Sequence, residues 1–101
     1  MALVSDEQLE EIAEKFKALS EPSRLAVLRR LMEGEAAVGE IAADVGQTQP
    51  NVSRHLGGLK RAGFVSGRRA GQSIYYSICD PVVVKLCELM CGRSGGASGR
   101  P

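Results

Sequence analysis

Long apolar runs are missing from this chain of 101 residues. The longest are a few residues, far short of the roughly 20 that a membrane-spanning helix requires. No basic stretch followed by an apolar one opens the chain, so no secretory leader is expected. Cysteine is scarce and odd in number, three in all, which fits a reducing cytosol better than a disulfide framework. These absences predict a soluble, cytoplasmic domain with no membrane partner. Histidine occurs once, at His55. No Gly-rich phosphate loop and no His–carboxylate or His–Cys pair close in sequence accompanies it, which argues against an enzyme. Acid is missing where it matters most. Between Val45 and Cys79 there is no Asp or Glu, while Arg54, Lys60, Arg61, Arg68 and Arg69 all fall in that stretch.

The overall balance of 13 Lys+Arg against 12 Asp+Glu, a net charge of +1, hides this segregation. Residues 1–44 hold ten acids and five bases, whereas residues 45–101 hold two acids and eight bases. Such an asymmetry points to one face built for a polyanion. At 44% hydrophobic the chain is globular. About 100 residues bury only a modest core, and domains of this size often gain stability by pairing.

Hydrophobic spacing divides the chain. Ser5-Asp6-Glu7 offers an N-cap, and Leu9, Ile12, Phe16 and Leu19 recur at helical spacing. Pro22 opens a second helix with Leu25, Leu28 and Leu31/Met32 on its buried face, ended by Gly34. Val38, Ile41 and Val45 mark a short third helix that stops at Gly46. Thr48 caps a fourth, which carries Val52, Leu56 and Leu59 inward and ends near Ala62-Gly63. The period then changes to alternation. Phe64–Arg68 and Ser73–Ile78 read as a β-hairpin around Arg69-Ala70-Gly71-Gln72. Asp80-Pro81 opens a last helix running to about Cys91. The expected fold is mostly α with a β-hairpin wing: a winged helix-turn-helix in the order α-α-α-α-β-β-α.

In a helix-turn-helix the second helix enters the major groove. On the fourth helix, Gln49, Asn51, Ser53, Arg54 and His55 are left for the faces not occupied by the apolar stripe. Short polar donors and acceptors of this kind read base edges or grip phosphates. Thr48 and Lys60 flank them. Arg68 and Arg69 at the hairpin tip, with Gln72, would form a wing reaching backbone phosphates or the minor groove. A polar helix face and a charged turn are more often simply solvated, but the acid-free surroundings and the preceding turn favour DNA. Gly57-Gly58 is odd inside a helix. Either the helix is soft there or a neighbour packs against its backbone.

Phe16-Lys17-Ala18-Leu19-Ser20-Glu21-Pro22-Ser23-Arg24-Leu25, Thr48-Gln49-Pro50-Asn51-Val52-Ser53-Arg54-His55-Leu56, Leu59-Lys60-Arg61-Ala62-Gly63-Phe64-Val65 and Tyr75-Tyr76-Ser77-Ile78 carry a resemblance. Together they resemble the ArsR/SmtB family of bacterial winged-helix repressors over roughly residues 8–92. The resemblance implies a homodimer built mainly by the first and last helices. That dimer would bind double-stranded, palindromic operator DNA and let go when a small inducer binds. Residues 1–92 would then form the DNA-binding and dimerisation domain, with a disordered Gly/Ser-rich tail at 93–101.

The family's metal motifs are not matched. Ala37-Val38-Gly39 stands where arsenic and cadmium sensors carry Cys-x-Cys, and Asp80-Pro81-Val82 where zinc and cobalt sensors carry Asp-x-His. Cys79, Cys87 and Cys91 remain, all within 13 residues. Cys87 and Cys91 are four apart, about 5–6 Å between Cβ atoms on one helix face. Three thiolates suit As(III), Sb(III) or another soft metal ion as inducer, with no cofactor required. Alternatively the thiols respond to oxidants or reactive sulfur. They can also be read as small apolar residues packed with Val83, Leu86 and Met90 in a protein with no inducer site. A protein-interaction module using the same scaffold is a further alternative, and it predicts no salt-dependent DNA binding.

Overall fold

Residues 4–92 are described by the computed structural model, and the Gly/Ser-rich tail expected at 93–101 lies outside them. The elements are α1 (Asp6–Ala18), α2 (Pro22–Leu31), β1 (Ala36–Ala37), α3 (Val38–Val45), α4 (Gln49–Arg61), β2 (Val65–Ala70), β3 (Ser73–Ile78) and α5 (Val82–Met90). This is the anticipated helical fold with a hairpin wing, with one addition. The two-residue β1 is too short to leave a periodic signal, yet it pairs Ala36 with Tyr76 and Ala37 with Tyr75. The sheet order is β1-β3-β2, antiparallel throughout. No helix among the described residues is long and apolar enough to cross a membrane.

Local chemistry explains where the helices start. Ser5 Oγ accepts from the Gln8 N–H at 3.1 Å, and Gln8 Oε1 accepts from the Ser5 N–H at 2.8 Å, a complete capping box on α1. At α3 only the return half forms, Glu40 Oε1 accepting from the Ala37 N–H at 2.9 Å, because alanine offers no side-chain oxygen. Gly46 ends α3 in the left-handed region at φ 70°. Two residues on, Thr48 Oγ1 caps α4 through the Asn51 N–H at 3.2 Å. The turn between the two helices is therefore fixed at both ends.

Val27, Leu28 and Leu31 of α2, Ile41 and Ala42 of α3, and Val52, Leu56 and Leu59 of α4 meet in the core. Phe64, Val65 and Val83 close it from the hairpin and α5. Burying one such Val, Leu or Phe contributes about 1.5–3 kcal/mol. The wing is longer and tighter than expected. Arg69 and Ala70 lie within β2, opposite Ile74 and Ser73, so the loop is Gly71-Gln72 alone. Its first residue, Gly71, takes φ 64°, as a two-residue hairpin demands.

Candidate nucleic-acid interface

The helix-turn-helix presents α4 with one side inward and its first turns outward. Thr48, Gln49, Ser53 and Arg54 are exposed, Lys60 is exposed at the far end, and Asn51 is half-buried. Gln49 and Ser53 have no side-chain hydrogen bond to the rest of the described protein that would hold them back. Arg54 is pre-aimed: its Nη2 donates to Asn51 Oδ1 at 2.8 Å, and its Nη1 lies 3.7 Å from Glu21 Oε1. Asn51 is in turn held by donating to Gln47 Oε1 at 2.6 Å, and Gln47 Nε2 donates to the Ser23 carbonyl at 2.9 Å. Asn51 thus spends its amide on the protein and orients Arg54.

His55 corrects the reading of α4. It is fully buried rather than left on the polar face, and so is not placed to touch DNA. Its Nε2 lies 2.9 Å from Ser23 Oγ, and its Nδ1 accepts from Arg24 Nε at 3.2 Å. The spacing explains this: with Val52, Leu56 and Leu59, position 55 completes an inward stripe at i, i+3, i+4 and i+7. Burial, then Arg54 and Arg24, push the imidazole pKa below its ordinary value, with Glu21 opposing them. The ring is neutral at physiological pH.

The Gly57-Gly58 question resolves in favour of close packing at the second glycine. A Cβ on Gly58 would fall 2.7 Å from Arg24 Cζ, whereas one on Gly57 would meet only Arg61 Nη1 at an ordinary 3.5 Å. A mid-helix glycine costs about 0.8–1.0 kcal/mol relative to alanine; at position 58 that cost makes room for a guanidinium. Sequence reasoning missed this supporting layer of Glu21, Ser23, Arg24 and Gln47. The signal available was the polar cluster Glu21, Ser23 and Arg24 at the start of α2, just ahead of the apolar run Leu25–Leu28.

The wing also departs from expectation. Arg68 is not at the tip: it lies in β2, paired with Tyr75 of β3. Its Nε and Nη2 donate to the two carboxylate oxygens of Glu35 at 3.1 and 2.7 Å, and its guanidinium stands 5.4 Å from the Tyr75 ring. Arg68 holds the Glu35 carboxyl below the usual carboxylate range. Arg69 and Lys60 are exposed, with no carboxylate within ion-pair distance among the described residues, and Gln72 is exposed at the loop. The acid-free stretch of sequence is therefore not acid-free in space, because Glu21 and Glu35 from the acidic half sit against Arg54 and Arg68.

The cysteines separate. Cys79 is exposed, and its thiol donates to the Gly63 carbonyl at 3.4 Å. Cys87 of α5 and Cys91, which caps its C-terminus, both line an open apolar cleft of about 410 Å³ with Phe16, Leu19, Leu25, Leu86 and Met90. Among the described residues no three His, Cys, Asp or Glu side chains gather in a way that could hold a metal ion. The expected three-thiol donor set does not form within one protomer, because Cys79 belongs to the end of β3 and the pair to α5. Burial, with Cys91 adding to it, pushes the Cys87 thiol up, so it is protonated at neutral pH.

Comparison with known proteins agrees with this architecture. The family model of bacterial regulatory proteins of the arsR family matches residues 21–66, from the start of α2 into the wing. An uncharacterized HTH-type transcriptional regulator of Mycobacterium tuberculosis is 44% identical over 75 residues. That alignment covers 73% of this chain and 66% of the relative, so this chain spans just under two thirds of that protein's length. The solution structure of a homodimeric winged helix-turn-helix DNA-binding domain from Mycobacterium bovis, a possible ArsR-family regulator, superposes with a TM-score of 0.78 at 37% identity. It covers 90% of this chain and 87% of that one. The AntR antimony-specific transcriptional repressor superposes with a TM-score of 0.77 at 32% identity, covering 90% and 83% of the two chains. A capped second helix behind a left-handed glycine turn, a hairpin wing and these likenesses have one reading: the chain belongs to the arsR family of bacterial regulatory proteins, a family of transcriptional regulators rather than enzymes.

Proposed function

We propose that this protein is a dimeric transcriptional repressor whose α4 enters the major groove of a palindromic operator. The observation that carries the reading is the exposed first half of α4, with Gln49, Ser53 and a pre-aimed Arg54 projecting from a helix locked by the Gly46–Thr48 turn. Arg54 would read guanine or grip phosphate, with Asn51 setting its direction. Thr48, Lys60, Arg69 and Gln72 would grip the backbone to either side, and Arg68 would join them once released from Glu35. The domain performing this is residues 1–92. The homodimer is supported by the Mycobacterium bovis neighbour and by the apolar side chains that α1 and α5 leave in solvent. The test is selection of a duplex from a random library, then titration over a salt series. A repressor loses affinity steeply as salt rises. Arg54→Ala should cost about 1–3 kcal/mol of operator affinity and flatten the salt slope by about one. Unchanged affinity in that variant refutes the assignment of α4.

A second part of the proposal concerns release. Cys87 and Cys91 open onto the apolar cleft between α1, α2 and α5, and the antimony-specific neighbour supports a thiophilic inducer. As(III), Sb(III) or a soft metal ion would be held by this pair, and a dimer built on α1 and α5 brings two such pairs to one seam. An oxidant or reactive sulfur species acting on the same thiols is the alternative inducer. Because the Cys87 thiol is held protonated, loading a metal displaces a proton and strengthens as pH rises. The double variant Cys87→Ser, Cys91→Ser should keep operator binding and lose release by arsenite, antimonite, cadmium or persulfide. Normal release in the double variant would sink the thiol sensor.

A further inference from the structure

His55 is the one buried polar side chain among the described residues; the bond from Arg24 selects its tautomer, and the Asn51 amide nitrogen stands farther off, 3.5 Å from Nε2. A guanidinium only donates, so the Nδ1 that accepts from Arg24 Nε at 3.2 Å is the bare nitrogen. The ring proton is on Nε2, donated to Ser23 Oγ at 2.9 Å. The same Arg24 guanidinium lies in the notch over Gly58, where a Cβ would come within 2.7 Å of Cζ and 2.8 Å of Nη1. One side chain of α2 thus touches the buried face of α4 twice, one turn apart. Next to it, Glu21 has Oε2 3.6 Å from Arg24 Nη2 and Oε1 3.7 Å from Arg54 Nη1 and 3.9 Å from His55 Nδ1.

We propose that Arg24, His55 and Gly58 form a proton-sensitive strut that sets how the recognition helix sits on α2, with Glu21 as the alternative partner. A proton added to His55 goes to Nδ1, where it faces the Arg24 Nε–H. Two donors then oppose each other and the bond is lost. The new N–H turns to Glu21 Oε1, which draws that carboxylate away from Arg54 and frees Arg24 from the notch. The charged groups facing the ring are Glu21 and Arg24 from the start of α2 and Arg54 from α4 itself. Burial and the two arginines hold the His55 pKa below its ordinary value against Glu21. The strut is therefore fully formed above the ordinary histidine value and is lost as pH falls toward the depressed one. Arg24 and His55 act on DNA only through the placement of α4, so they are positioning residues, and this role rests on the operator-binding reading above.

The test uses the full chain and its single histidine. Long-range proton–nitrogen NMR of His55 should show a bare Nδ1, a protonated Nε2 and a titration midpoint below that of a free histidine. Gly58→Ala is the decisive variant, because alanine favours the helix while its methyl group evicts the guanidinium. The variant should fold, its His55 midpoint should move back toward the free value, and affinity for the selected duplex should fall about tenfold. His55→Gln, which can accept from Arg24 and donate to Ser23 without titrating, should remove the acid-side loss of DNA affinity. A Gly58→Ala protein with an unmoved His55 midpoint overturns the strut, as does a His55→Gln protein that keeps the acid-side loss. If no duplex is bound by any variant at any pH, the operator reading fails, while the strut is still decided by the His55 titration.

Discussion

Two regions of this small protein use their apolar side chains in opposite ways. In α2, α3, α4 and the base of the wing, Val27, Leu28, Ile41, Val52 and Leu59 are fully buried. In α1 and α5, Leu9, Phe16, Leu89 and Met90 are 54, 51, 78 and 73% exposed. The stripe of α1 has the same helical spacing as the core stripes, but most of it faces away from its own protomer. The first region satisfies its hydrophobic demand within the fold; the second leaves its demand open. Exposed apolar side chains concentrated on two helices, with Phe16 and Met90 lining one cleft, mark an interaction site. On the proposed reading it is the dimer seam, and the cleft bearing Cys87 and Cys91 adjoins it.

The largest effect separates the regions directly. Leu28→Ala in the core should cost about 2–5 kcal/mol of unfolding free energy. Leu89→Ala on the open face should change protomer stability by no more than about 0.5 kcal/mol, while weakening self-association seen by sedimentation. Denaturant unfolding at several protein concentrations distinguishes them, because only the association effect disappears on dilution. Equal losses for both variants at all concentrations would erase the distinction.

A smaller effect lies within the first region. Gly57 has room for a side chain, with the nearest atom at 3.5 Å, so Gly57→Ala should raise stability by about 0.8–1.0 kcal/mol through helix propensity alone. Thermal unfolding measures this, and the sedimentation behaviour should not move. A destabilised Gly57→Ala protein would mean that α4 needs softness at this turn, contrary to its rigid capping.

Much of this organisation could be read from residues alone. The helix starts at Ser5, Pro22 and Thr48 were legible because capping and proline chemistry is local. The wing was legible because alternation through Ile74, Tyr76 and Ile78 differs from helical spacing. What escaped depends on distance in space. Two-residue β1 exists only because β3 lies beside it. Charge counting along the chain missed that Glu21 and Glu35 fold back onto Arg54 and Arg68. His55 was assigned by polarity when its spacing from Val52 and Leu59 placed it inward. Grouping three cysteines by their nearness in sequence failed because the end of β3 and α5 carry Cys79 and the other two to different surroundings.

The smallest effect concerns the tie between the wing and the segment before β1. Arg68 and Glu35 are both exposed, at 60 and 39% of their side chains, so solvent screens the pair and its loss should barely change unfolding. Its effect should fall instead on DNA, since Glu35 occupies the fork that a phosphate would take. Glu35→Gln should therefore raise operator affinity modestly and steepen its salt dependence, with sedimentation unchanged. The pH sign follows from the lowered Glu35 pKa. The tie is complete above the ordinary carboxylate range and is lost only as pH falls through the depressed value. In the neutral range wild-type and Glu35→Gln proteins should differ in DNA affinity by a constant factor. If the variant instead binds more weakly, Glu35 is what holds the wing in its binding position, and the first region is less self-sufficient than its buried core implies.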